Sequence, residues 1–252
     1  MLSKIKTLKG YKLDSLDGEI GHVQEFYFDD RHWTVRYLVA NTGSWLMGRQ
    51  VLLSPYALVN INNADRSIAI DLTQSQIKGS PSLDTDKPVS LQFEQDYYGY
   101  YGWPTYWHGQ NSWGSYPYIE RDRIKWGQLK PSGKPWDHHL RSTHAVSGYN
   151  VQALDGDLGH VEDFVVDDET WAIRYLIVNT SNWWAGKKVL VSPQWIERVS
   201  WSESKVFIKL SGQAIKESPA YTEESLLTRD YEIGLHGHYN RKGYWLEELG
   251  HR

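Results

Sequence analysis

The stretch Trp33-Thr34-Val35-Arg36-Tyr37-Leu38-Val39-Ala40 is dense in β-branched and aromatic residues and follows the dipeptide Asp29-Asp30. That order predicts a reverse turn feeding a β-strand. Upstream, Asp17-Gly18 separates two apolar-patterned runs, as a tight hairpin does, because glycine takes positive φ without strain. The strand after it, Glu19–Phe28, places apolar residues at 20, 23, 26 and 28 and so breaks strict alternation; Gly21 then marks a bulge or strong bend. Downstream come Gln50–Leu53, closed by Ser54-Pro55, and Ser67–Asp71, which alternates apolar with polar. Thr73 and Gln76 have capping-box spacing for one helical turn that stops at Ser80-Pro81. Five or six short strands with glycine corners in about 80 residues predict a small closed or nearly closed barrel. The period then changes. Phe93, Tyr97, Tyr100 and Tyr101 fall at i, i+4, i+7 and i+8, one face of a helix that Asp84 or Asp86 begins.

All of this occurs twice. Asp167 to Asn179 repeats Asp29 to Asn41 at 167 − 29 = 138, and the register extends without a gap from Leu2–Trp107 to Leu140–Trp245, with 35 identities in 106 positions. The helical stripe recurs as Tyr231, Leu235, His238 and Tyr239, and both copies end in Tyr-Trp, at Tyr106-Trp107 and Tyr244-Trp245. The fold class expected is mainly β: two small barrels related by internal duplication, each followed by a short aromatic helix and tail. The expected organisation is barrel 1 over 1–81, its helix and tail over 82–107, a connector over 108–139, barrel 2 over 140–219 and its helix and tail over 220–252. A short helix cannot bury an apolar stripe alone, so each must dock on its own barrel, on the other barrel, or on a second chain in a homodimer.

Composition narrows the function classes. There are no cysteines, which removes disulfides, thiolate metal sites and cysteine nucleophiles. A net charge of −4 provides no basic field for nucleic acid or anionic lipid. No apolar run reaches the ~18 residues a membrane helix needs, and the first residues lack a signal-peptide core, so a cytoplasmic protein is expected. The 13 Trp and 17 Tyr set against 5 Phe are unusual, since aromatics with a polar handle suit half-wet surfaces and interfaces.

Leu140-Arg141-Ser142, Gly148-Tyr149, Asp155-Gly156, Gly159-His160-Val161, Asp167-Asp168, Trp171, Arg174-Tyr175-Leu176, Asn179-Thr180, Val189-Leu190-Val191 and Ser192-Pro193 together resemble the PRC-barrel family. That family takes its name from the cytoplasmic part of the photosynthetic reaction centre H subunit and includes a ribosome maturation factor. Repeat 1 carries the same pattern with Leu2-Ser3-Lys4 in place of Leu-Arg-Ser, and Tyr100 to Trp107 looks like the tail of free-standing bacterial members. The resemblance covers about 80 residues per copy. It implies a β-barrel that docks onto larger assemblies, with no shared catalytic residues and no cofactor. The membrane helix of a true H subunit is missing, so a role in photosynthetic electron transport ranks low.

Candidate chemistry is sparse. Asp29-Asp30 and Asp167-Asp168-Glu169 read as turn residues before a strand, with a hard-cation site as the competing reading. His22 and His160 read as surface or hydrogen-bonded strand residues. His236, His238 and His251, or His138-His139, are the histidines that a metal would need, but no His-Glu-x-x-His spacing supports one. Arg36 and Arg174 either receive a partner's carboxylate or phosphate or cover barrel side chains and pair with a local Asp. Tyr100, Tyr101, Trp103, Tyr106, Trp107, Tyr239, Tyr244 and Trp245 either seal a barrel end or form a platform for a protein or a sugar; Tyr97 to Tyr118 contains no Lys or Arg, which disfavours nucleic acid. The leading expectation is a non-enzymatic adaptor binding a protein partner or complex. A small-molecule or carbohydrate binder using the aromatic tails is second, and a hydrolase using the acidic turns is third.

Overall fold

The computed structural model describes residues 1–82, 89, 91–106, 140–180, 187–222 and 227–249. Within them the chain forms two compact units: Met1, Ser3–His144 and Asp167–Ala172 in the first, and Leu2, Ala145–Val166 and Ile173–Arg252 in the second. The connector 108–139, Trp107, Trp183, Gly186, His138-His139, His251 and the proposed helix starts Asp84 and Asp86 lie outside the described residues.

The first unit is built on β2 (Lys12–Ser15), β3 (Gly18–Asp29), β4 (Thr34–Asn41), β5 (Gln50–Leu53), β6 (Leu58–Asn62) and β7 (Ser67–Ile70), hydrogen-bonded in the order β5-β4-β3-β2-β7-β6. All neighbours are antiparallel except β2 and β7. β3 is 12 residues long and carries two partners on one edge: β2 along its first half, and β8 (Leu140–Ser142), the opening strand of repeat 2, at its end. The bend that permits this is at Gly21. Opposite β2 the register slips between Leu13↔Gly21 and Asp14↔Glu19, leaving Ile20 as the extra residue of a bulge. Gly21 has φ +127, and a Cβ there would lie 2.0 Å from the Asn41 carbonyl oxygen. Only glycine satisfies both conditions, as the sequence pattern indicated. Gly159 has the same geometry against Asn179.

The second unit repeats the plan with β9 (Asn150–Ala153), β10 (Gly156–Asp167), β11 (Ile173–Asn179), β12 (Lys188–Val191), β13 (Ile196–Ser200) and β14 (Lys205–Ile208), in the order β12-β11-β10-β9-β14-β13, with β1 (Leu2–Lys4) as the seventh strand of that sheet, on β10. Short helices α1 (Ile5–Leu8) and α4 (Thr143–Val146) follow the opening strands, and α2 (Gln74–Lys78) and α5 (Gly212–Glu217) follow the last ones. The expected capping box opens α2, with the Thr73 side chain on the Gln76 amide and the Gln76 side chain on the Thr73 amide. The aromatic helices are α3 (Leu91–Tyr101) in the first unit and α6 (Arg229–His238) with α7 (Tyr244–Leu249) in the second.

Both sheets are open. Where a closed or nearly closed barrel is expected, each unit is mainly β and holds a seven-stranded mixed sheet followed by helices, and neither strand order returns on itself among the described residues. In the first unit a side chain caps the β5 end: the Tyr97 hydroxyl of α3 donates to the Leu52 carbonyl and accepts from the Ser54 amide, both at 3.0 Å. The core of each unit is the strand that the sequence singled out. Thr34 to Ala40 of β4 and Ile173 to Val178 of β11 are buried without interruption. Each fully buried Leu, Val or Ile on these strands contributes about 1.5–3 kcal/mol.

Candidate functional site

The helix stripe is rotated from the face the spacing predicted. In α3 the buried residues are Phe93, Glu94, Tyr97 and Tyr98, while Tyr100 is 46 % exposed; in α6 they are Glu232, Leu235 and His236. A glutamate therefore sits at the centre of each buried face. Glu94 is 1 % exposed and Glu232 2 % exposed. These positions are related by the same offset, 232 − 94 = 138.

Each buried carboxylate is gripped by two tyrosines. The Tyr37 hydroxyl of β4 and the Tyr106 hydroxyl of the tail both donate to Glu94 Oε1 at 2.8 Å. In the second unit Tyr175 of β11 and Tyr244 of α7 donate to Glu232 Oε1 at 2.9 and 2.8 Å. An arginine lies on the face of each tail tyrosine: the Arg36 guanidinium is 4.1 Å from the Tyr106 ring centre, and the Arg174 guanidinium 4.0 Å from that of Tyr244. One strand dipeptide, Arg-Tyr, thus engages one tail tyrosine by ring and hydroxyl, through one helix glutamate. Burial, followed by the neighbouring carboxylate, pushes the Tyr37, Tyr106 and Tyr175 hydroxyls well above their usual range. Burial likewise carries Tyr101 and Tyr239 up to about 12.

The two networks differ at the histidine and at an added arginine. Tyr98 hydrogen-bonds Ser54 Oγ at 3.3 Å, whereas its equivalent, His236, approaches the Tyr175 hydroxyl through Nε2 at 3.1 Å and donates from Nδ1 to the Lys242 carbonyl at 2.9 Å. Burial lowers the His236 pKa, the bond to Lys242 opposes that shift, and Arg229 adds to it. Arg229 also pairs with Glu232 at 2.9 Å.

The acidic turns have internal roles. Asp29 is buried and accepts from the His32 amide at 2.7 Å, contacts the His32 ring, and pairs with Arg36. Burial acts to raise its carboxyl, but Arg36 and then His32 outweigh that effect and hold it well below the usual carboxylate range. Asp30 pairs with Arg141 at 2.9 Å. Asp167 accepts from the Glu169 amide at 3.0 Å, and Asp168 pairs with the Met1 ammonium. No group of three or more potential metal ligands comes together among the described residues.

Most of the residues considered for partner binding lie inside. Arg36 is fully buried and Arg174 is 6 % exposed, so of the two roles open to them it is the inward one that their surroundings match, with stems and charges engaged within the unit. Tyr106, Tyr239 and Tyr244 are buried for the same reason. Tyr101 stacks on Trp103 at 4.3 Å, and Trp103 stacks on Tyr56 at 5.9 Å. Trp245 is half-buried under the Arg229 guanidinium, 4.2 Å from its ring. Among the described residues of the group Tyr100 alone is exposed, its hydroxyl on the Gln76 carbonyl at 2.9 Å. The tails dock on the sheet of their own repeat. Sequence reading overlooked Glu94 and Glu232; an acidic identity between copies, set within an aromatic stripe, was the available signal.

A bent antiparallel-rich sheet with a helix closing over it defines a small β-rich domain class. Residues 142–212, from the end of β8 to the start of α5, match the model of the PRC-barrel domain. No curated protein matches the chain. Among the described residues, no helix is long and apolar enough to cross a membrane.

Proposed function

We propose that this chain is a tandem docking module in which two PRC-type domains hold a protein partner or larger assembly and perform no chemistry of their own. The observation that carries this reading is the inward engagement of the reactive side chains. Glu94 and Glu232 are closed over by tyrosines, Asp29 neutralises Arg36, and the tail rings stack on one another. A general acid or base must reach its substrate's proton, and a sugar platform needs a free ring face. Duplication supports the reading, because two linked weak sites gain avidity through effective concentration. Tagged full-length chain, crosslinked in its native cells, is expected to recover a partner near one-to-one, and Tyr106→Phe to recover it equally. Recovery of no stoichiometric partner counts against the proposal.

A further inference from the structure

The outward faces of the two sheets carry opposite charge. Along β14 and the two residues after it, Val206, Ile208 and Leu210 are buried, so Lys205, Phe207 and Lys209 share the outward face. Arg198, opposite Phe207 on β13, lays its guanidinium 3.5 Å from the centre of that ring. At the Lys209 end the exposed Arg241, in the connection between α6 and α7, reaches 3.5 Å from the Lys209 carbonyl oxygen. The equivalent positions in the first unit hold Asn60, Ser67, Ala69, Asp71 and Trp103, none of them cationic. Beside them β2 and β3 place Asp14 and Glu19 around Lys12, which pairs with Glu19 at 3.9 Å, where the second unit has Gln152, Asp157 and Asn150.

Folding does not ask for the cationic row. The two sheets share one strand order, and the buried residues alternate as Ile68, Ile70 and Leu72 in one and Val206, Ile208 and Leu210 in the other, so the same backbone carries either set of outward charges. Like charges gathered on one face destabilise a sheet, and arriving carboxylates relieve that repulsion. Asp157, two strands from Phe207 in register, and Glu197, in the β13 bulge, stand near the row, and the whole chain has a net charge of −4. Both features oppose a continuous polyanion such as nucleic acid or an anionic bilayer, and they suit a segment with a few carboxylates at set places.

We infer that this outward face of β13 and β14 is where the chain docks its partner, and that the occupant is an acidic segment of a partner protein. Its carboxylates pair with Arg198, Lys205, Lys209 and Arg241 around an apolar side chain set on Phe207. The pairing fixes register and speeds association, and salt screens it. This rests on the docking reading above and assigns it to the second unit, because Asp14, Glu19 and Asp71 make the first unit's face repel the same segment.

The test uses the full chain and a random dodecapeptide display library. Enriched peptides should carry several Asp or Glu around an apolar or aromatic residue. Titrated as a synthetic peptide against ¹⁵N-labelled chain, the best of them should shift the Lys205, Phe207 and Lys209 amides saturably. Raising salt from about 50 to about 300 mM should weaken it about tenfold. A triple variant, Arg198→Asn with Lys205→Ser and Lys209→Asp, gives this face the residues that the first unit already carries on the same backbone; it should fold and bind the peptide at least tenfold more weakly. Lys209→Asp alone should weaken binding at least threefold. Failure to enrich acidic peptides, shifts confined to other surfaces, or a folded triple variant binding within twofold of wild type would overturn the inference. So would tighter binding of a single-stranded oligonucleotide or of dioleoylphosphatidylserine vesicles at this face, because the occupant would then be a polyanion. A wild-type dimer by light scattering that the triple variant converts to monomer would overturn it too, because the occupant would then be a second copy. Equal capture of a stoichiometric cellular partner by wild type and triple variant would remove this face while leaving the docking reading intact.

Discussion

Replacing Tyr106 with Phe removes one hydroxyl and leaves the ring on Arg36. The lost contact is a hydrogen bond of 2.8 Å to a carboxylate only 1 % exposed. A hydrogen bond to a charged group contributes about 1.5–3 kcal/mol, and burial favours the upper half of that range. Adding Tyr37→Phe removes both phenol donors from Glu94 Oε1, and the double variant should lose about 3–5 kcal/mol, the sum of two hydrogen bonds to a buried carboxylate. The equivalent Tyr244→Phe should lose less, about 0.5–1.5 kcal/mol, because Arg229 still pairs with Glu232 at 2.9 Å. Hydrogen exchange of the α3 amides in the full chain assigns the loss to the first unit. A change of 1.5–3 kcal/mol appears there as opening roughly 10- to 150-fold more frequent. Tyr106→Phe within about 0.5 kcal/mol of wild type, or a larger loss from Tyr244→Phe, would refute the view that this contact fastens the tail.

Acid should weaken the units at different points. The folded-state pKa of His236 lies below its ordinary 6.5, so unfolding takes up a proton and stability contributed by neutral His236 is lost as pH falls below about 6.5; urea midpoints across pH 5–7.5 should slope in wild type and flatten in His236→Tyr, which copies Tyr98. Asp29 is depressed, so its contribution is present above about 3.8 and is lost only as pH falls below that. The raised tyrosines act at the other end: stability is full below about 10 and declines above it, and absorbance at 295 nm should show Tyr37, Tyr97, Tyr98 and Tyr106 ionising only when the chain unfolds. Gly21→Ala should lose at least about 3 kcal/mol or fail to fold, since its Cβ meets the Asn41 carbonyl. Gly43→Asn, with φ +53 and open space around it, should stay within about 0.5 kcal/mol by urea denaturation.

Local rules made much of this fold legible. Asp-Gly turns, the glycine bulge, the Thr73 capping box and the β-branched run of β4 are decided by a few adjacent residues, and they stand where the pattern put them. What depends on distant pairing was not legible. Two copies in perfect register offer identical partners, so nothing in the residues says that β8 adds to the β3 edge of the first unit. The helix stripe was misplaced because hydropathy discounts a glutamate. Glu94 is buried by satisfaction rather than by apolarity, its two phenol donors arriving from β4 and from the tail. The recurring Arg-Tyr pair is visible in the sequence together with an inward role for its arginine, but the tail tyrosine and helix glutamate that it engages come from distant segments.

These contacts make the aromatic helices part of the fold and send the search for a binding surface to the sheets. The most direct test compares the full chain with a version ending at Ala220, by size-exclusion chromatography with light scattering. That truncation removes Tyr221, Glu232, His236 and Tyr244 and leaves the Tyr175 hydroxyl and the Trp195 ring uncovered. The account predicts that the shortened chain aggregates or elutes expanded. A shortened chain that stays monomeric, with the elution of a folded protein and unaltered urea stability, would contradict it and return the aromatic tails to the surface as free binding elements.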